Sequence, residues 1–207
     1  NNIVDEANLK VSNSPTNGFV LSAQSGNTGG LTWVEAGGGD WVKLSSTTNG
    51  SAVGNFTFNS SIITTTYDIY KITGFLKPAE DNRYIHTQYF TGGSLQTSNY
   101  SWGIASTDSS DYDQNNGTSH NVMHISGMGN ASNEGCGFDF YLRHPMVSSI
   151  PTTWGGNFSL VNDNFLQIGS LGTGYYKVAE ANNGIKIFFS SGNIAAGSNI
   201  AIYGLTK

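Results

Sequence analysis

Asp111, Asp113 and Asn115 in the stretch DYDQNNG alternate as the first ligands of an EF-hand calcium loop do. Such a loop also needs glycine at its sixth position and a bidentate glutamate at its twelfth. The chain carries Asn116 and Val122 there, so the match fails and a solvated loop is the better reading. His120 and His124 in HNVMH are four residues apart, a spacing that puts both on one face of a helix or a strand. Zinc would need a third ligand, and the metalloprotease pattern needs a glutamate where Asn121 stands. His86 and His144 could join them only through the fold, so these residues read as strand-surface histidines. No G-x-S-x-G elbow and no phosphate-cradling glycine loop before a helix is present. The carboxylates fall mostly in turn-like segments, although a hydrolytic pair converges in space and not in sequence. The expectation is a protein that is not an enzyme, with no cofactor and no metal.

Two further features carry no chemistry. Cys136 is the single cysteine, so no intrachain disulfide can form, and it reads as a small packed hydrophobe. Seven N-x-[ST] sequons, from Asn49 to Asn157, are close to the roughly five that so Asn-, Ser- and Thr-rich a chain contains by chance.

The elements that would position any site read as strands. There are 27 Gly and only 11% charged residues, and Asn, Ser and Thr fill the space that Lys and Glu usually occupy. These residues favour turns over helix interiors. Period-two alternation recurs. In CGFDFYLRH, Phe138, Phe140 and Leu142 point one way and Asp139, Tyr141 and Arg143 the other. YDIYKITGF and RYIHTQYF carry apolar residues on both faces, as inner strands of a packed sandwich do, or strands covered by a neighbouring subunit. GIKIFFSSGNIAAGSNIAIYGL reads as two core strands forming a hairpin, with Ser190 to Ser198 as its turn. The best helical candidate, VDEANLK at 4–10, is short and uncapped. The longest polar run, Thr107 to Ser119, reads as an exposed loop. Evenly spaced turn signals predict an all-β fold: an antiparallel β-sandwich, jelly-roll-like, with a short extended N-terminal connector. The glycines of EAGGGD place the boundary between a connector, 1–36, and a sandwich head, 40–207, with Trp33 and Trp41 anchoring one to the other.

Net charge of −5 without a basic stripe argues against nucleic acid, and no apolar run is long enough for membrane insertion. The chain starts at Asn1 without a charged and apolar leader, which reads as a processed chain or a piece of a longer one.

The stretch GDWVKLSSTTNGSAVGNFTFNSSIITTTYDIYKITGF resembles a module of tailed-phage structural proteins, notably those of cyanophages and other marine phages. In that module a W-x-x-[LIV]-S-x entry precedes a [ST]-x-Y-D-x-Y-x-[IV] strand. GIKIFFSSGNIAAGSNIAIYGL resembles the module's end, and SPTNGFVLSAQSGNTGGLTWVEAGGG the connector that precedes it in tail fibres. The resemblance implies a distal tail-fibre domain in the virion, assembled in the host cytoplasm as a homotrimer. It would attach to upstream tail or virion proteins and recognise the host surface, a polysaccharide or another receptor. The alternative is a structural virion component without receptor binding. Residues 91–183 match no fixed pattern of the module, and the search for a site belongs there. Aromatic rings can stack on sugar faces while short polar side chains bond hydroxyls, which makes Tyr100, Trp102, Tyr112 and Trp154 stacking candidates. Asp111, Asp113 and His120 are the hydrogen-bonding candidates. For Trp154, core or subunit interface is an equal alternative.

Overall fold

The alternation in GCGFDFYLR decides the architecture. Cys136, Phe138, Phe140 and Leu142 are buried, while Asp139, Tyr141 and Arg143 face outward. A strand with one apolar face must cover it with a second layer. The computed structural model describes residues 10–26, 29–35, 40–106, 112–124 and 126–207, with residues 35 and 112–117 described by backbone alone. These residues form antiparallel sheets throughout, and no helix among them is long and apolar enough to cross a membrane. The helical candidate at 4–10 and the glycines at 37–39 lie almost wholly outside the described residues.

The chain divides into two compact units, Asn1–Asp40 and Trp41–Lys207. In the first, β1 (Phe19–Ala23) and β2 (Leu31–Glu35) form an antiparallel hairpin in which Val20 faces Val34. Asn13 ties the preceding segment to it: its Oδ1 accepts the Trp33 N–H and its Nδ2 donates to the Trp33 carbonyl. This part is therefore folded into strands and is more than an extended connector.

The second unit is a sandwich. Its strands are β3 (Trp41–Thr48), β4 (Phe56–Phe58), β5 (Ile69–Leu76), β6 (Ile85–Thr91), β7 (Ser94–Leu95), β8 (Tyr100–Ser106) and β9 (Tyr112–Thr118). They continue with β10 (Asn121–Val122), β11 (Gly135–Arg143), β12 (Thr153–Val161), β13 (Gln167–Tyr176), β14 (Asn182–Phe189) and β15 (Asn199–Leu205). The large sheet runs β3-β15-β5-β11-β12-β13-β8-β9; the small one runs β10-β6-β14-β4, with β7 added to β6. Without β7–β9 and β12–β13, the remaining strands give β3-β15-β5-β11 facing β10-β6-β14-β4, the interleaved order of a jelly roll. The other strands are two insertions. One follows β6, the other follows β11, and both widen the large sheet beyond β11.

Two expectations change here. β14 and β15 are both core strands, with Ile185, Ile187, Phe189, Ile200 and Ile202 all buried. They do not pair with each other, however. β14 lies between β6 and β4, and β15 lies between β3 and β5 in the opposite sheet. The closing segment is thus an arch across the core, because both inner faces need apolar cover. The polar run at 107–119 also contains strand β9, which pairs with β8 along the sheet edge.

The core between the sheets is strongly aromatic. Phe140, Trp154 and Phe158 pack at centroid separations of 6.4 Å, with Trp154 edge-on to both phenyl rings. Each such ring contributes roughly 1.5–3 kcal/mol by leaving water. Glycine on β13 makes room for the indole: a Cβ at Gly174 would sit 2.4 Å from Trp154 Nε1.

Candidate functional site

The outward residues of the inserted half of the large sheet are unusually small. Reading across the sheet in register, Tyr141 on β11 faces Gly155 on β12, then Thr173 on β13, then Gly103 on β8. One pleat away the row is Asp139, Asn157, Leu171 and Ala105. Two glycines and an alanine among larger neighbours leave a trough, because a strand position without a side chain exposes the sheet backbone itself. The result is an open groove of about 560 Å³, with Tyr141, Arg143, Asn157, Leu171 and Thr173 around a glycine floor. A Cβ at Gly103 would meet nothing within 4 Å, so the space above it is free.

The groove's wall is cationic and aromatic. The Arg143 guanidinium lies 5.8 Å from the centre of the Tyr141 ring, and Lys71 Nζ lies 6.0 Å from it. The Trp41 ring meets the same tyrosine at 5.8 Å, tilted by 53°. The register explains the gathering. Lys43, Tyr203, Lys71 and Tyr141 occupy one continuous row across β3, β15, β5 and β11. The ion pairs among the described residues are Arg83–Glu80 and Lys207–Asp68, so Arg143, Lys71 and Lys43 form none with a described carboxylate. Leu171, 62% exposed, adds an apolar edge. Among the described lining residues there is no carboxylate. The arrangement can stack a flat apolar surface on Tyr141, accept hydroxyl hydrogen bonds at Asn157 and Thr173, and pair an anion with Arg143.

Four of the seven sequence candidates, Tyr100, Trp102, His120 and Trp154, fall elsewhere. Tyr100, Trp102 and Trp154 are 0%, 7% and 1% exposed, so all three are core residues and no sugar can stack on them. Their strand positions put them on the inner face, and the Tyr100 hydroxyl is used within the fold, accepting the Tyr89 N–H at 2.8 Å. Asp111 lies outside the described residues. Tyr112 and Asp113 lie on β9, opposite Ala105 and Ile104 at the groove's far end; only their backbone is described. His120 is half-buried in the bend between β9 and β10, beside the other sheet.

There the fold does bring histidines together. His86 on β6 stacks on His120 with centroids 3.8 Å apart and planes 15° from parallel. Stacked rings direct their nitrogen lone pairs along parallel planes, not toward one point. His124 is fully buried, its Nδ1 bonded to the Ser126 carbonyl at 2.7 Å and its Nε2 accepting the Ile85 N–H at 3.0 Å. Burial lowers its pKa to about 4, against the opposing hydrogen bond to Ser126. Burial, reinforced by His120 and His124, lowers that of His86 to about 3. No group of three or more His, Cys, Asp or Glu among the described residues is placed to hold a metal ion.

The groove residues did leave a trace in the sequence. Alternation already turned Tyr141 and Arg143 outward, and glycines inside strands, in TWGGN and GSLGTGY, mark places where the sheet surface is bare. No protein-family model matches the chain, and no curated protein matches it.

Proposed function

We propose that this chain is the distal, host-recognising part of a phage tail fibre, and that it binds carbohydrate in the groove of the large sheet without transforming it. The single observation behind this reading is the groove itself. It is a glycine-floored trough beside an accessible tyrosine, lined by hydroxyl and amide groups and by no described carboxylate. Sugars present an apolar face and a rim of hydroxyls, and such a surface offers a partner for each. The resemblance of the first and last strands to tail-fibre modules supplies the virion setting. An open groove gives weak contacts per site, and three copies in a fibre tip, held by upstream tail proteins, would multiply them.

A second reading has its own support. Phe75, Leu171 and Tyr175 are large apolar side chains exposed on the same sheet face, which would suit a structural virion component covered by a neighbour. The two readings separate in one experiment. The purified chain, with its mass in solution measured by light scattering, is applied to a glycan array and used to compete with phage adsorption. Array binding and blocked adsorption by a trimer are expected; a trimer inert in both assays would sink the receptor-binding proposal.

A further inference from the structure

The groove's wall says which carbohydrates it takes. Three of the chain's nine basic residues, Lys43, Lys71 and Arg143, stand on this one sheet face in a protein of net charge −5. A cation on a protein surface usually has a carboxylate nearby or is free in water. Arg143 and Lys71 instead flank the Tyr141 ring, half-buried, and neither forms an ion pair among the described residues. The nearest acid on the face by register is Asp139, two residues along β11 and pointing the same way. It forms no ion pair with either cation. Gly155 matters too: a Cβ there would sit 3.3 Å from Arg143 Nη1, so glycine leaves the guanidinium room to lie along the groove.

From this we infer that the groove selects acidic saccharides. The sugar's apolar face lies on Tyr141, its anionic group pairs with Arg143, and Lys71 adds long-range attraction. The inference rests on the carbohydrate reading above and narrows it. A carboxylate and a sulfate ester share the chemistry the site recognises, since each offers paired oxygens to the fork of a guanidinium. Charge complementarity argues against a second copy as the occupant of a two-fold contact, because that would set Lys71 and Arg143 against their own equivalents.

The test uses the full chain with three immobilised polymers: alginate for carboxylates, dextran sulfate for sulfates and neutral dextran. Arg143→Gln removes the anion partner, and Arg143→Lys keeps the charge but loses the fork. Gly103→Val fills the trough without touching any charge, in space free of neighbours. The expected result is binding to one or both acidic polymers that weakens as salt rises. Arg143→Gln should weaken it about tenfold or more, with Arg143→Lys in between. Gly103→Val should also abolish it, which separates the groove from diffuse attraction of a polyanion, and thermal melting checks that each variant is folded. Equal binding to dextran, or wild-type affinity in Arg143→Gln, overturns the acidic preference and leaves the carbohydrate reading standing. Acidic-polymer binding untouched by Gly103→Val overturns the assignment to the groove. Failure on all three polymers, or a self-association that these substitutions break, overturns both.

Discussion

His86 offers a direct measurement of what the small sheet's histidine stack costs in acid. The ring lies 8% exposed, face to face with His120 at 3.8 Å and edge-on to Phe188 at 5.6 Å. Lys186 Nζ sits over the neighbouring Phe188 ring at 4.5 Å, and no ion pair among the described residues involves His86. In the unfolded chain the imidazole would titrate near 6.5; in the fold its pKa is lowered to about 3. Stability from this neutral histidine is therefore complete above pH 6.5 and is lost as pH falls from there toward 3. Between those limits the unfolded state binds a proton that the folded state refuses, a slope of about 1.4 kcal/mol per pH unit. At pH 4.5 the accumulated loss is roughly 2–3 kcal/mol. His86→Phe keeps a flat ring between His120 and Phe188 and removes the titration. Urea unfolding of both proteins at pH 8, 6 and 4.5 gives the comparison. The variant should match or fall slightly below wild type at pH 8, and gain about 2 kcal/mol relative to it by pH 4.5. An unchanged difference across the three pH values would show that His86 is not held neutral, and the reasoning would fall.

Two other expectations follow from packing and backbone geometry. Trp154→Ala should destabilise the sandwich by about 3–5 kcal/mol in chemical denaturation. Trp154→Phe should cost clearly less, since the buried indole N–H has no hydrogen-bond partner to lose. Phe165, at the tip between β12 and β13, is 62% exposed and has φ of 58°. Phe165→Asn should therefore be neutral or raise Tm by a few degrees, about 0.5–1 kcal/mol, because asparagine tolerates the left-handed region. A clear drop in Tm would mean that the phenyl ring is buried in the native assembly.

Much of the architecture was legible in the residues. Alternation in CGFDFYLRH sorted inner from outer side chains along the whole of β11, and the doubly apolar runs became β5 and β6, both central in their sheets. Pairing was not legible. Ile185–Phe189 and Ile200–Ile202 show the pattern of core strands whether they meet in a hairpin or face each other across the core, because burial is the same in both arrangements. Three of the four stacking candidates failed for a related reason. Tyr100, Trp102 and Trp154 are chemically apt for stacking on sugars, but the same rings are the best core fillers. Only partner strands determine which face a ring occupies. What makes the groove is missing side chains at Gly103 and Gly155, brought into one row on either side of Thr173 by a register that no single strand encodes.

The jelly-roll order also divides the groove by origin. Tyr141 and Arg143 sit on β11, whose other face, through Phe138, Phe140 and Leu142, is built into the common core. Gly155, Thr173 and Gly103 sit on strands inserted after β11 and after β6, at the margin of the roll. Anchor and floor are thus mechanically separable on β8. A larger residue at Gly103 on β8 alters the shape of the trough without touching the aromatic and cationic post, whereas one at Gly155 on β12 presses on Arg143. Such a layout lets the trough be reshaped from the inserted strands, while the arch of β14 and β15 goes on closing the same apolar core behind it.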